Sequence, residues 1–229
     1  MLLAAVARLL MLGRIPYGIY QDEAYAGYNA YALMTRGVDS WGYAFPVYFT
    51  AWGDGMNVLY SYITILFFRL LGVSLFSYRL PQALFGILTV YAAYLFGREA
   101  VDERIALLFA FALSCNPWHV MSSRWGLESM LAPGLMLLLC LFLIKGLKTG
   151  GRYYIAAAFF GGLSLYAYAV TWLMLPLFLI LFIIYYKNKL RIDRYIGAAG
   201  ILLLLMALPL LLFVAVNEGL IPEYRGGII

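Results

Sequence analysis

Apolar residues come in runs of about 15 to 22 along the chain, separated by short charged clusters. That is the length a helix needs to cross about 30 Å of hydrocarbon at 1.5 Å per residue. Six runs are clear, near 79–97, 104–121, 130–147, 153–170, 171–186 and 195–216, and residues 1–13 form a shorter seventh. Each is expected to be a membrane-spanning helix. Arg8 interrupts the first run, and Met1 opens directly onto Leu2 and Leu3. A clipped start is expected there, since no A-x-A-like cleavage site follows as a signal peptide would require. One more run, 56–71, is short and carries Arg69.

Basic residues order these runs. They cluster at Arg98/Arg104, at Lys145/Lys148/Arg152 and at Lys187/Lys189/Arg191/Arg194, and the positive-inside rule places all three loops in the cytoplasm. Two spans separate each loop from the next. With an inside N-terminus, this parity keeps all of 14–78 outside, so 56–71 is expected to be a juxtamembrane helix at the outer surface and not a crossing. The short turn at 122–129, a tight turn near 170 and the piece from 217 join it outside. The expected fold is therefore all-α: a polytopic transmembrane bundle of one module, 1–229, with outer juxtamembrane helices near 23–36 and 56–71.

Composition agrees. Hydrophobic residues make up 65% of the chain, charged residues 12%, and mean hydropathy is +0.88, far from the roughly 45–50% apolar and 25% charged content of a soluble domain. The net charge of +5 follows from the inside loops and points to membrane lipids, with no nucleic-acid role. Cys115 and Cys140 both fall within spans, as free thiols. All four lysines lie in the inside loops, while the outside carries only arginines, Arg14, Arg36, Arg69, Arg79, Arg124 and Arg225. A planar guanidinium suits bidentate binding of phosphate; it also anchors helices at lipid headgroups.

Candidate chemistry sits in the long outer loop. Asp22 and Glu23 are adjacent, close behind an apolar span, and a helix follows in which Ala24, Tyr28, Tyr31 and Met34 share one face before Gly37 ends it. Asp22 reads as an N-cap or as a functional carboxylate, because acids near a membrane are costly unless partnered. The loop holds eleven aromatics between Tyr17 and Trp52, Tyr20 and Tyr25 among them; they suit an interfacial belt or the stacking of sugar rings. The outer turn after the span at 104–121 offers His119, the one histidine, with Arg124 and Glu128. Carboxylates from the two segments, with an arginine between them, could hold a phosphate leaving group and deprotonate an acceptor. An ordinary interfacial turn with Glu128 as a helix cap reads equally well.

Taken in order, Asp22-Glu23-Ala24, Tyr28-Asn29-Ala30, Arg79-Leu80-Pro81, Asn116-Pro117-Trp118-His119, Ser123-Arg124 and Glu128 resemble the membrane glycosyltransferases of the C-type fold. The branch is that of the bacterial and archaeal relatives of protein O-mannosyltransferases and of the lipid A aminoarabinose transferase. The resemblance covers nearly the whole chain. It implies a prokaryotic plasma-membrane enzyme that moves a sugar from a polyprenyl-phosphate donor to a protein, lipid or glycan acceptor on the outer face. Asp22 would be the general base or the acceptor-positioning carboxylate, with Glu23 in support. Glu128 matches the family's second carboxylate, which is often Asp. Arg124 and Arg79 would bind the donor phosphate, and Tyr20, Tyr25 and His119 the substrates. A divalent metal ion at the phosphate is left open. Family enzymes are much longer, so an amino-terminal part of the fold is expected. The competing readings are a transporter or flippase of lipid-linked substrates, which would place ionisable residues near mid-span, and a non-catalytic fragment.

Overall fold

A computed structural model of the chain describes residues 1–51, 54–190 and 193–220; at 54 it describes the backbone alone. Trp52, Arg191, Arg225 and most of the piece from 217 onward therefore lie outside the described residues. The described residues fold into ten α-helices, α1 (Leu2–Leu9), α2 (Gln21–Arg36), α3 (Leu59–Leu71), α4 (Leu75–Ala100), α5 (Glu103–Cys115), α6 (Pro117–Ser122), α7 (Ala132–Thr149), α8 (Arg152–Leu165), α9 (Thr171–Tyr186) and α10 (Arg194–Asn217). A 3-10 turn at Glu128–Leu131 precedes α7, and two short strands, β1 (Tyr48–Ala51) and β2 (Asp54–Asn57), pair antiparallel.

Short polar residues at the loop ends start the helices. Ser74 caps α4, Asp102 α5, Asn116 α6 and Asp193 α10, each accepting a backbone N–H from the first turn. Pro117 follows its cap at the first helical position, where the missing N–H costs nothing. Asp22 does not cap α2. The cap position is Tyr20, whose N–H is received by Glu23 Oε2 at 3.1 Å, so the second acid of the pair closes the helix start. Gly37 ends α2 at φ 75°, as its position predicts.

α7 is central, packed between α4 and α8; α8 in turn packs on α10, α4 on α5, and α1 lies along α4. Helices fall within each stretch expected to cross, and α2 and α3 lie where outer-surface helices are expected. Among the described residues three segments are long and apolar enough to cross a membrane: α4, the run from Glu128 through α7, and α10. α3 and α9 are apolar but shorter, and α1, eight residues long, rises only about 12 Å. The protein is an integral membrane protein.

The two ends differ in character. At one, the basic loops meet: Lys145 Nζ pairs with Glu99 Oε1 at 3.9 Å, Lys148 donates to the Glu99 carbonyl, and Asp193 presses against Gly151. At the other, α2, the hairpin, α3 and the starts of α4 and α7 share an apolar core of Ala26, Ala30, Phe49, Tyr60, Tyr78 and Leu135. Asn57 Nδ2 donates to Leu165 O at 3.0 Å and Leu59 N to Tyr166 O at 3.1 Å, tying this layer to the turn after α8. α2 faces that core with Ala26 and Ala30, while Tyr28 and Tyr31 are exposed on the opposite side. Of the face read from the sequence, Ala24, Tyr28 and Tyr31 thus point outward, whereas Met34 packs against the apolar core.

Candidate active site

The outer end is organised by Glu23. Its carboxylate is wholly buried, and Arg79, also wholly buried on α4, grips it with both prongs, Nε to Oε1 at 2.8 Å and Nη2 to Oε2 at 2.7 Å. Arg79 spends its other donors on the carbonyls of Pro16 at 2.7 Å and Gly18 at 2.8 Å. Oε1 of Glu23 further receives the N–H of Gly126 at 2.9 Å, while Oε2 takes that of Tyr20. Four hydrogen bonds on one carboxylate satisfy a charge that would otherwise be very costly to bury.

Those bonds bring two other acids together. Asp22 is the residue before Glu23, and Glu128 lies two beyond Gly126. Gly126 is held on its other side as well, its carbonyl accepting Tyr78 Oη at 2.6 Å, and a Cβ at this position would stand 2.3 Å from the Tyr78 ring. The half-buried Glu128 carboxyl consequently lies within reach of the Asp22 charge. Asp22 itself has no hydrogen-bond or ion-pair partner among the described residues. Tyr20 and Trp125 stand alongside, ring centroids 6.3 Å apart.

The remaining expected residues have protein partners. Arg124 is 5% exposed and donates to the carbonyls of Ala7 at 2.8 Å, Leu10 at 2.7 Å and Ile15 at 2.9 Å, gathering the end of α1 and the segment after it. Its Nε is buried without a partner. His119 is buried and takes Arg8 Nη2 on Nδ1 at 2.6 Å; a guanidinium only donates, so Nδ1 is the acceptor and the ring carries its proton on Nε2. Tyr25 Oη donates to the Thr50 carbonyl, which also accepts Trp41 Nε1 at 3.0 Å, so Tyr25 fastens the hairpin to α2.

Arg8 is the important residue that sequence reasoning passed over. It is wholly buried and donates to Ala4 O at 3.1 Å, Leu113 O at 3.1 Å and Ser123 Oγ at 3.3 Å. Among the described residues neither Arg8 nor Arg124 pairs with a carboxylate. Three of their acceptors, the carbonyls of Ala7, Leu10 and Leu113, lie at the ends of α1 and α5, where the helix dipole is negative. The signal was available: a cation inside an apolar run requires an internal partner. Among the described residues no three His, Cys, Asp or Glu side chains gather as a metal site.

A sequence profile of the dolichyl-phosphate-mannose-protein mannosyltransferases matches residues 57–213. The chain belongs to that family. As a member of the mannosyltransferase family it shares its fold with ArnT from Cupriavidus metallidurans in the apo state, at TM-score 0.72 and 15% identity over 100% of this chain and 42% of that one. ArnT bound to undecaprenyl phosphate is similar at TM-score 0.75 and 15% identity, over 97% of this chain and again 42% of that chain. No curated protein sequence matches. The resemblance to C-type glycosyltransferases read from the motifs is thus borne out, with the family that of the mannosyltransferases and the fold that of ArnT. This mannosyltransferase-family chain spans about two fifths of the length of ArnT. The matched stretch includes Arg79, His119, Arg124 and Glu128, while Asp22 and Glu23 precede it.

Proposed function

We propose that this protein takes part in transferring a sugar from a polyprenyl-phosphate donor to a hydroxyl or amine of a protein, lipid or glycan acceptor, at the membrane face that carries the α2–α3 layer. The observation that carries this reading is that the Glu23–Gly126 bond ties together the two segments carrying Asp22 and Glu128, near enough for the Asp22 charge to act on the Glu128 carboxyl, in a chain of the mannosyltransferase family. Asp22 has an unengaged carboxylate at the surface, the state a general base needs. In the step proposed, the acceptor oxygen or nitrogen bonds to the anomeric carbon, the bond from that carbon to the phosphate oxygen breaks, and Asp22 takes the acceptor's proton. Polyprenyl phosphate leaves with the bonding electrons. Glu128, beside it, orients the acceptor.

Glu23, Arg79 and Arg124 are assigned to positioning. Glu23 and Arg79 lock Asp22 to the segment carrying Glu128, and Arg124 fixes the chain leading into α2. The Arg79 charge is neutralised by Glu23, so the support for a leaving phosphate is the field of Arg124, whose acceptors are all carbonyls. The donor's tail stays in the bilayer while its phosphate and sugar reach the outer layer, where Tyr20 and Trp125 offer ring faces to a sugar.

The test is transfer from radiolabelled polyprenyl-phosphate sugar in membranes holding the full-length protein, with Asp22→Asn as the comparison. Labelled acceptor formed by the wild type and lost in the variant supports the reading. Donor carried across the membrane without cleavage would assign the protein to flipping.

A further inference from the structure

α9 packs only lightly on α8. Between α9 and the α7, α8 and α10 walls lies a cavity of about 440 Å³, apolar along Leu143, Ala157, Leu175, Leu179 and Leu203. A smaller cavity of about 280 Å³ shares Leu175, Leu179 and Leu203 and continues past Trp172. The slot's far end, among the basic loops, is lined by Lys187. That side chain is exposed and has no ion-pair partner among the described residues. The acid facing this end, Asp193, is engaged with the N–H groups of Tyr195 at 2.9 Å and Ile196 at 3.1 Å.

We infer that this slot binds one phospholipid from the leaflet on the lysine side, an acyl chain between α9 and α10 and an anionic headgroup at Lys187. The lining selects the chain: from Leu175 to Lys187 the slot follows α9 for about 18 Å between walls that are almost wholly apolar up to the lysine, which suits a hydrocarbon chain. Charge selects the headgroup, because a lone lysine at the membrane surface favours anionic lipid over neutral. Its headgroup end, at Lys187, lies at the opposite end of the bundle from Asp22.

Gly200 lines the slot, and a Cβ built there meets nothing within 4 Å. Gly200→Trp therefore brings an indole to the slot with no clash at its Cβ, and Lys187→Gln alters only an exposed side chain. The experiment is native mass spectrometry of the purified chain in detergent, titrated separately with phosphatidylglycerol, phosphatidylcholine and undecaprenyl phosphate. The wild type is expected to retain one phosphatidylglycerol per chain, in preference to phosphatidylcholine by about fivefold for one lysine. Lys187→Gln removes the preference and Gly200→Trp removes the bound lipid. Equal phosphatidylglycerol retention by Gly200→Trp and wild type overturns the proposal. So does a preference for undecaprenyl phosphate that Gly200→Trp abolishes, which would give the slot to the donor's tail. A dimer lost on Gly200→Trp, with no lipid retained, would give it to a second copy of the chain and overturn the proposal equally.

Discussion

Asp22 and Glu23 are neighbours with opposite fates. Glu23 is buried under four hydrogen bonds, two of them from Arg79, whereas Asp22 keeps its carboxylate unengaged. Asp22→Asn should therefore leave the start of α2 intact, since Tyr20 and Glu23 cap it, while sugar transfer by the full-length protein falls by about 10²–10⁴ as expected for loss of a general base. Turnover above about a tenth of wild type would remove Asp22 from that role. Arg79→Ala should instead act on folding, stranding the Glu23 charge in the interior at about 3–5 kcal/mol, seen as a large drop in Tm in detergent. For Arg124→Lys the expected outcome is a lower Tm with donor affinity unchanged, because one ammonium cannot reach the carbonyls of Ala7, Leu10 and Ile15 together. Weaker donor binding at unchanged Tm would return Arg124 to the phosphate. At this scale the sequence announced the acids but not which one was engaged. The deciding partners, Arg79 and Gly126, are 56 and 103 residues away, and no local pattern encodes a pairing at that distance.

Elements were easier to read. Apolar runs located the helices because long stretches of apolar residues have few other uses, and Gly37 marked the end of α2; the break at Asn116, where Pro117 opens α6, fell inside the run read as one span, 104–121. The hairpin escaped because each strand has four residues, too short for alternation to show, and it is held by side chains of other elements, Tyr25 from α2 and Tyr62, whose Oη donates to Pro46 O at 2.9 Å. The outer layer's close fit can be probed at Gly126. A Cβ there would meet the Tyr78 ring at 2.3 Å and Tyr60 Oη at 2.9 Å, so Gly126→Ala should displace the segment carrying Glu128 and lower Tm by the equivalent of about 1–3 kcal/mol for overpacking. An unchanged Tm and unchanged transfer would show that the outer layer yields easily and does not hold the acids in register.

For the molecule as a whole, the sequence's charge asymmetry and the structure's two ends coincide: residues near 98–104, 145–152 and 187–194 meet at one end and the layer built from 14–78 caps the other. We propose that these ends face opposite sides of the membrane. In a background lacking Cys115 and Cys140, cysteines at Ser40 and Asn188, both exposed, should react with an impermeant reagent from opposite sides; Asp39, in the same loop as Ser40, is buried and would label poorly. Reaction of both from one side would overturn the topology. What the sequence could not convey at this scale was how α9 stands off its neighbours, since that depends on side-chain fit across helices and not on hydropathy.

The separations around Glu23 also set a timetable for synthesis. A ribosome that has just delivered Glu23 to the membrane must add 56 residues before Arg79 exists and 103 before Gly126 does. Through that interval the carboxylate has only its local bond to Tyr20 to offset loss of water, so it stays hydrated and α2 stays undocked at the lipid surface. Nascent chains arrested before Arg79 should expose the outer segment to protease, and those extended well past Gly126 should protect it. The two candidate acids would thus come together only once the segment after α6 has been delivered, which ties the birth of the site to the prior insertion of α4 and α5.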